Sequence, residues 1–315
     1  MQNNIVVVGG SNIDICAKSG SNIVLHDSNI GHVEFGLGGV GRNIAEELCL
    51  FGADVSLLTA VGDDSFGRVA IDRADELGLN LLAEPFENEK TGVYAYVSDN
   101  DGSFVLGVND MGITDKISPQ IIDENINALY FADCVVIEAN LSVKTIEKIA
   151  SYDLKIIADS VSGRKCRKLL TVLDKLYLLK CNRIEAFEMT GASSIDDAVK
   201  EFVKLGVKRG IITLGSEGAM CYEATSSGIV SYRMGNMPKE PILDANGCGD
   251  AFLSGFVFGL MRGHSMKESL TYGQAAAYLN AQSLASVNRE MDYSMLKETI
   301  KKFTDKVETE VVVIR

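Results

Sequence analysis

The chain has 315 residues, with 43 Asp and Glu against 30 Lys and Arg for a formal net charge of −13, and it contains no Trp, 4 Pro and 30 Gly. An acidic surface repels polyphosphate backbones, and no run of five Lys or Arg counters it. No apolar stretch approaches the ~20 residues of a membrane-spanning helix, so neither a nucleic-acid polymer nor a membrane is expected as partner.

An apolar content of 46% supplies the core of one large α/β domain. The first residues lack the basic and apolar regions of a signal peptide, and seven scattered cysteines without a CxxC pair match reduced thiols, so a cytoplasmic protein is expected. Three His without HExxH or His/Cys spacing argue against structural zinc and a His-based triad.

Ile5-Val6-Val7-Val8, ending in Gly9-Gly10, has the continuous apolar pattern of a buried parallel strand that delivers Ser11-Asn12-Ile13-Asp14 at its carboxyl end. Strand-like runs recur at 55–59, 134–137, 156–158, 176–179, 210–214 and 311–314, with helical patterns between most of them. This alternation predicts a mostly parallel sheet covered on both faces. Asp64 or Ser65 caps a helix that Gly78 stops, and Ser118 and Ser142 open two more.

Two segments break the alternation. Residues 24–26 and 32–35 have no helix between them, and 93–97 and 103–108 flank the turn Asp99-Asn100-Asp101-Gly102. A small β lid formed by insertions at about 15–37 and 92–110 is therefore expected within a single domain spanning 1–315. Residues 220–222 and 229–233 are expected to extend the main sheet at one edge.

Glycine concentrates in two clusters. Gly36-Leu37-Gly38-Gly39-Val40-Gly41-Arg42-Asn43 runs into a helical pattern over 44–51. It contains a literal GxGxxG, which admits a dinucleotide-binding oxidoreductase as a competing reading. That fingerprint belongs directly after the first core strand, which here ends near Gly9, so a floor for a polyhydroxylated ligand fits better. Asn43, Asn12 and Asp14 supply the groups that pair with hydroxyls.

The second cluster, Asp244-Ala245-Asn246-Gly247-Cys248-Gly249-Asp250, precedes an apolar helix over 251–261. Small residues at a helix N-terminus let backbone N–H groups converge on an anion. A carboxylate beside such an anion hole suits phosphoryl transfer, in which Asp250 orients and deprotonates an attacking hydroxyl; the plainer alternative is a helix cap. Between the clusters, Asn182-Arg183-Ile184-Glu185 follows a strand, where Asn182 can reach phosphate and Glu185 can hold the water shell of Mg²⁺; the plainer alternatives are a helix cap and a solvated face. Thr213-Leu214-Gly215-Ser216-Glu217-Gly218 follows another strand, and its glycines either admit a nucleotide or only form a turn. The absence of GxxxxGK[ST] and of HRD and DFG motifs disfavours P-loop NTPases and protein kinases.

Together the clusters resemble the carbohydrate kinase family that includes ribokinase, often called PfkB. Gly38, Gly39, Gly41, Asn43, Ala45, Gly52 and Gly62 match its N-terminal signature, and Asp244, Gly247, Gly249, Asp250, Ser254 and Gly255 its C-terminal one. Ala245 and Cys248 depart from the usual residues.

The resemblance implies a ribokinase-like fold, MgATP as donor, Asp250 as base with Gly247, Cys248 and Gly249 beside it, and a homodimer joined through the lid. It also implies substrate groups at Asn12, Asp14, Gly38, Gly39, Asn43, Asn109 and Glu138, and ATP contacts at Asn182, Thr213, Gly215, Gly218, Gly247, Gly249 and Gln274. Asp244 marks a monovalent-cation position, K⁺ being the ion expected. Asp27-Ser28-Asn29, Asn109-Asp110-Met111 and Asn140-Leu141-Ser142 are similar to a branch that phosphorylates a nucleoside, the 5′-hydroxyl of pseudouridine. Ribose, adenosine and inosine are the alternative acceptors.

Overall fold

A computed structural model of the chain describes residues 4–235 and 242–304. In chain order the strands are β1 (Asn4–Val8), β2 (Asn12–Ser19), β3 (Gly31–Gly38), β4 (Asp54–Leu58), β5 (Asn80–Leu81), β6 (Gly92–Ser98) and β7 (Phe104–Asp110). They continue with β8 (Cys134–Glu138), β9 (Ile156–Asp159), β10 (Leu178–Asn182), β11 (Arg209–Thr213), β12 (Ala219–Thr225) and β13 (Gly228–Met234). The helices are α1 (Val40–Leu50), α2 (Ser65–Leu77), α3 (Pro119–Glu124), α4 (Ile126–Phe131) and α5 (Val143–Ala150). After these come α6 (Arg183–Thr190), α7 (Ile195–Lys204), α8 (Cys248–Met261), α9 (Met266–Asn280) and α10 (Tyr293–Phe303).

The apolar runs assemble one sheet in the order β13-β12-β11-β10-β9-β8-β1-β4-β5. The seven strands from β11 to β5 are parallel, and β12 and β13 add antiparallel edges. The inner parallel strands are buried on both faces, as the alternation within β1 shows, whereas the edge strand β5 is not. Ile5 and Val7 join a core with α1, α8, α9 and α10, whereas Val6 and Val8 join one with α3, α4, α5 and α7.

Capping chemistry sets several boundaries. Asp64 accepts from Gly67 N, Ser118 from Ile121 N and Ser142 from Thr145 N, while Gly78 ends α2 in the left-handed region. Helix α8 is apolar around most of its circumference and lies against α9, where Gly255 passes beneath the Tyr272 carbonyl.

A second sheet stands apart, in the order β3-β2-β6-β7. Its inner strand β2 begins at Asn12, so Asn12 and Asp14 lie within a strand and not in a loop after β1. Residues 24–26 are no strand. Asn29 receives the Val24 N–H at 2.8 Å and donates to the Val24 carbonyl at 3.0 Å, closing a loop between β2 and β3. Two further boundaries move: α1 starts at Val40 instead of 44, and the expected 176–179 strand is β10, which carries Lys180 and Asn182. The strand expected at 311–314 lies outside the described residues.

Substituting Gly255→Ala would place a Cβ 2.5 Å from the Tyr272 carbonyl oxygen. We expect a loss of about 1–3 kcal/mol despite the gain in helix propensity, read from the urea midpoint.

Candidate active site

The chain leaves β1 for β4 on one side and returns to β8 on the other, so the carboxyl end of β1 is a topological switch point. Gly9 and Gly10 end there. Gly10 N donates to Glu138 Oε1 at 2.8 Å, and the Asn140 amide donates to Glu138 Oε2. Glu138 is fully buried, so it meets the site through these backbone groups. Burial pushes its carboxyl up to about 7, against the pull of the two amides.

Helix α1 starts beside this point, and three of its residues frame Asp250. Asn43 Nδ2 donates to Asp250 Oδ2 at 2.7 Å. The orientation of Asn43 is fixed because Arg42 donates to its Oδ1, which leaves the amide N–H₂ pointing at the carboxylate. Arg42 also donates to the Leu37 carbonyl at 2.6 Å and pairs with Glu46, whose other oxygen takes Arg73 at 2.7 Å. Glu47, fully buried on the same helix, accepts from Ser254 Oγ of α8 at 2.7 Å. Burial first, and Asp250 second, push the Glu47 carboxyl well above the usual carboxylate range.

Asp250 is not the cap of α8. Gly247 is the N-cap, in the left-handed region with φ 73°, and a Cβ there would lie 1.9 Å from the Ser286 carbonyl oxygen. Asp250 therefore sits inside the first turn, where the Gly249 and Asp250 amides have no acceptor within the helix. Its carboxyl is pushed up to about 7, chiefly by burial and then by Asp159; Lys180, Asn43 and Arg42 oppose the shift. Cys248 is partly buried, its thiol 3.8 Å from the Asp244 carbonyl oxygen, and burial raises it to about 11.

The small sheet supplies the opposite wall. Residues paired across strands share a face, and here the faces separate by polarity. One carries the rows Gly38-Asn12-Gly92, Gly36-Asp14-Tyr94-Asn109 and Glu34-Cys16-Tyr96-Gly107. Asn12 Nδ2 donates to Asp14 Oδ1 at 2.6 Å, and Asp14 Oδ2 accepts from Ser286 Oγ at 3.3 Å. An open cleft of about 490 Å³ lies on this side, lined by Asp14, Cys16, Glu34, Tyr96, Ser286 and Arg289, among others. Ser286 bridges the halves, its hydroxyl on Asp14 and its carbonyl against Gly247.

Asn182 ends β10 and caps α6 in a reciprocal box with Glu185. Glu185 is buried, accepting from Asn182 N at 2.8 Å, Asn182 Nδ2 at 2.6 Å and Ser160 Oγ at 2.6 Å. Thr213 ends β11, and Gly215 and Gly218 shape the turn that follows. Gln274 is buried midway along α9. Asp244 is half-buried and accepts from Asn246 N at 3.0 Å. Among the described residues, no group of three or more His, Cys, Asp or Glu is arranged to hold a metal ion.

Arg42, Glu46, Asp159, Lys180 and Ser286 all bear on the site and were not singled out from the sequence. Asp159 and Lys180 carry a legible signal, a charge near the carboxyl end of an apolar strand. Gly36 and Gly38, in contrast, lie in β3, which is antiparallel to β2 and outside any βαβ unit, so the GxGxxG run does not form a dinucleotide fingerprint.

The model of the pfkB family of carbohydrate kinases matches residues 2–290. Pseudouridine kinase of Escherichia coli is 30% identical, over 87% of this chain and 88% of its own length. Guanosine-inosine kinase of Exiguobacterium acetylicum is 27% identical, over 93% and 98%. Ribokinase of Arabidopsis thaliana, solved with ribose and ATP, superposes with a TM-score of 0.82 at 22% identity over 96% of this chain and 99% of that one. The chain therefore belongs to the pfkB family of carbohydrate kinases, phosphotransferases with an alcohol group as acceptor, and has the ribokinase-like fold.

Proposed function

We propose that the chain transfers the γ-phosphoryl group of ATP to the 5′-hydroxyl of pseudouridine. The observation that carries the reaction is Asp250, a carboxylate kept near neutrality by burial and aimed by Asn43 at the first turn of α8. The choice of nucleoside rests on the likeness to the Escherichia coli pseudouridine kinase.

In this reading Asn12, Asp14, Asn43 and the Gly38-Gly39 backbone hold the ribose, and Asn109 lies on the same face of the lid. Glu138 keeps Gly10 in place beneath it. Asp250 takes the hydroxyl proton as the acceptor oxygen attacks, and the amides of Gly247, Cys248 and Gly249 meet the phosphoryl oxygens. Asn182, Thr213, Gly215, Gly218 and Gln274 form the ATP side.

Glu185 fits Mg²⁺ held through water, because three hydrogen bonds fill three of the roughly four lone-pair directions of its carboxylate and leave one for the metal's hydration shell. The ion would neutralise charge on the nucleotide phosphates. Asp244 is assigned to K⁺.

The outer face of the small sheet supports a homodimer. Its rows Phe35-Ile15-Ala95-Val108 and Val33-Ala17-Val97-Leu106 are wholly apolar, and Phe35 and Val108 are 68% and 66% exposed. A groove of about 340 Å³ on this face is lined by Val24, Leu25, Val33, Val97 and Leu106, among others. A second copy of the sheet is the occupant we assign to it.

Five outcomes follow from these assignments. In an ADP-release assay with pseudouridine, uridine, ribose, adenosine and inosine, pseudouridine should give the highest kcat/KM; a higher value for ribose or a purine nucleoside would replace the acceptor and keep the reaction. Asp250→Asn should lower kcat by ~10²-fold or more, with ATP binding intact by calorimetry.

The base works only when ionised, so kcat/KM should fall tenfold per pH unit below about 7 and level off above it; a profile flat through about pH 6 contradicts the assignment. The same raised pKa makes ionised Asp250 a liability to the fold. Asp250→Asn should thus raise Tm at about pH 8, where the wild-type carboxylate is charged in both folded and unfolded chains, and leave it unchanged near pH 3, where both are neutral. For the dimer, Phe35→Lys with Val108→Lys should halve the mass in sedimentation, and an unchanged mass would remove this interface.

A further inference from the structure

Lys180 is a buried cation that the reading above leaves without work. It lies near the carboxyl end of β10, its side chain 8% exposed, and Nζ pairs with Asp159 Oδ2 of neighbouring β9 at 2.8 Å. Asp159 is 1% exposed. An ion pair taken this far out of water is no better for stability than two well-packed apolar side chains, and every other position of β9 and β10 short of their ends is apolar. The fold by itself does not call for these charges.

Their position does suggest a use. A Cβ placed on Gly249 would lie 3.1 Å from Lys180 Nζ, so the ammonium rests against the backbone of the first turn of α8, beside the amides of the anion hole. Asp159, Asp250 and Glu185 surround it with negative charge, and all three favour its protonated form. The cation is therefore permanent, and it points at the place where the preceding section puts the phosphoryl group.

We propose that the Lys180 ammonium contacts the transferring phosphoryl group as a catalytic residue, and that Asp159 is the positioning residue that holds it beside Gly249. This rests on the assignment of Asp250 as base and of the α8 N-terminus as the anion hole. In the step, the acceptor O–H bond breaks and its proton goes to Asp250. The acceptor oxygen forms a bond to the γ-phosphorus, the bond from phosphorus to the bridging oxygen breaks, and ADP leaves with that electron pair. Lys180 exchanges no proton; its charge offsets the charge on the phosphoryl oxygens throughout, as a fixed cation does in other phosphoryl transfers.

The discriminating variant is the double substitution Lys180→Met with Asp159→Leu, assayed on the best acceptor of the panel. A purely structural pair predicts a folded protein with wild-type turnover. The proposal predicts a Tm close to wild type with kcat lowered by about 10²–10³-fold and acceptor KM changed only a few-fold. Turnover within about threefold of wild type would overturn it. If the apolar pair fails to fold, the neutral near-isosteres Lys180→Gln with Asp159→Asn are read in the same way.

Asp159→Asn alone tests positioning. It should lower kcat about tenfold and move the acid limb of the pH profile to lower pH, since Asp159 raises and Lys180, Asn43 and Arg42 lower the proton affinity of Asp250. An unchanged kcat and limb would remove Asp159 from the device. Asp250→Asn serves as the control: if it is fully active, the base assignment has failed; if it is inactive while the double variant turns over normally, only the role of Lys180 has.

Discussion

Asp250 is a half-buried carboxylate in the first turn of a mostly apolar helix, set where α8 packs on α1. Such a group needs partners, and the surrounding structure is arranged to supply them. Asn43 donates to it, Arg42 orients Asn43, and Glu46 holds Arg42. From the other helix Ser254 donates to Glu47, so the packing of α1 on α8 is itself partly polar. Arg42 further binds the carbonyl that ends the apolar stretch of β3, which ties the small sheet to the same network. The geometry at Asp250 and one of the ties of the small sheet therefore share one guanidinium.

The net charge of −13 sits uneasily with a family whose donor is a polyphosphate, and under the proposed assignments the opposing field arises inside the protein. It comes from the amides at the start of α8 and from cations kept inside the protein, Arg42 and Lys180, each neutralised by a carboxylate behind it. Inside the protein such charges are little screened by salt, whereas the acidic exterior is. The net charge of the surface therefore says little about the local field of the interior.

Most of the large sheet was legible because each strand is a short apolar run and most helices carry caps whose chemistry is local: Asp64, Ser118 and Ser142 behave as their sequence context predicts. Asp250 and its glycines were legible for the same reason, being contiguous. What escaped was assembled over distance. Arg42 looked like part of a glycine loop until Glu46 one turn along and Asn43 beside it gave it partners. Ser286 joins Asp14 across 272 positions of sequence, a contact no local pattern encodes. Residues 24–26 were misread as a strand because Val24 and Leu25 are apolar, although they lie exposed in a loop closed by Asn29. Lys180 and Asp159 stand in the sequence as charges near the carboxyl ends of apolar strands, but a single charge there does not say what it faces.

The small sheet is one layer thick, with polar rows toward the cleft and apolar rows outward. Because the side-chain period is two, inserting or deleting one residue at the start of β2 would turn Asp14 and Cys16 outward and bring Ile13 and Ile15 into the cleft, and the same change in β3 would turn Glu34 outward and bring Phe35 in. Both surfaces would be lost at once, without any change in the composition of the strands. Such a sheet can change one side chain at a time, but its strands can tolerate changes of length only in pairs of residues or in the loop between β2 and β3, so length variation belongs to that loop.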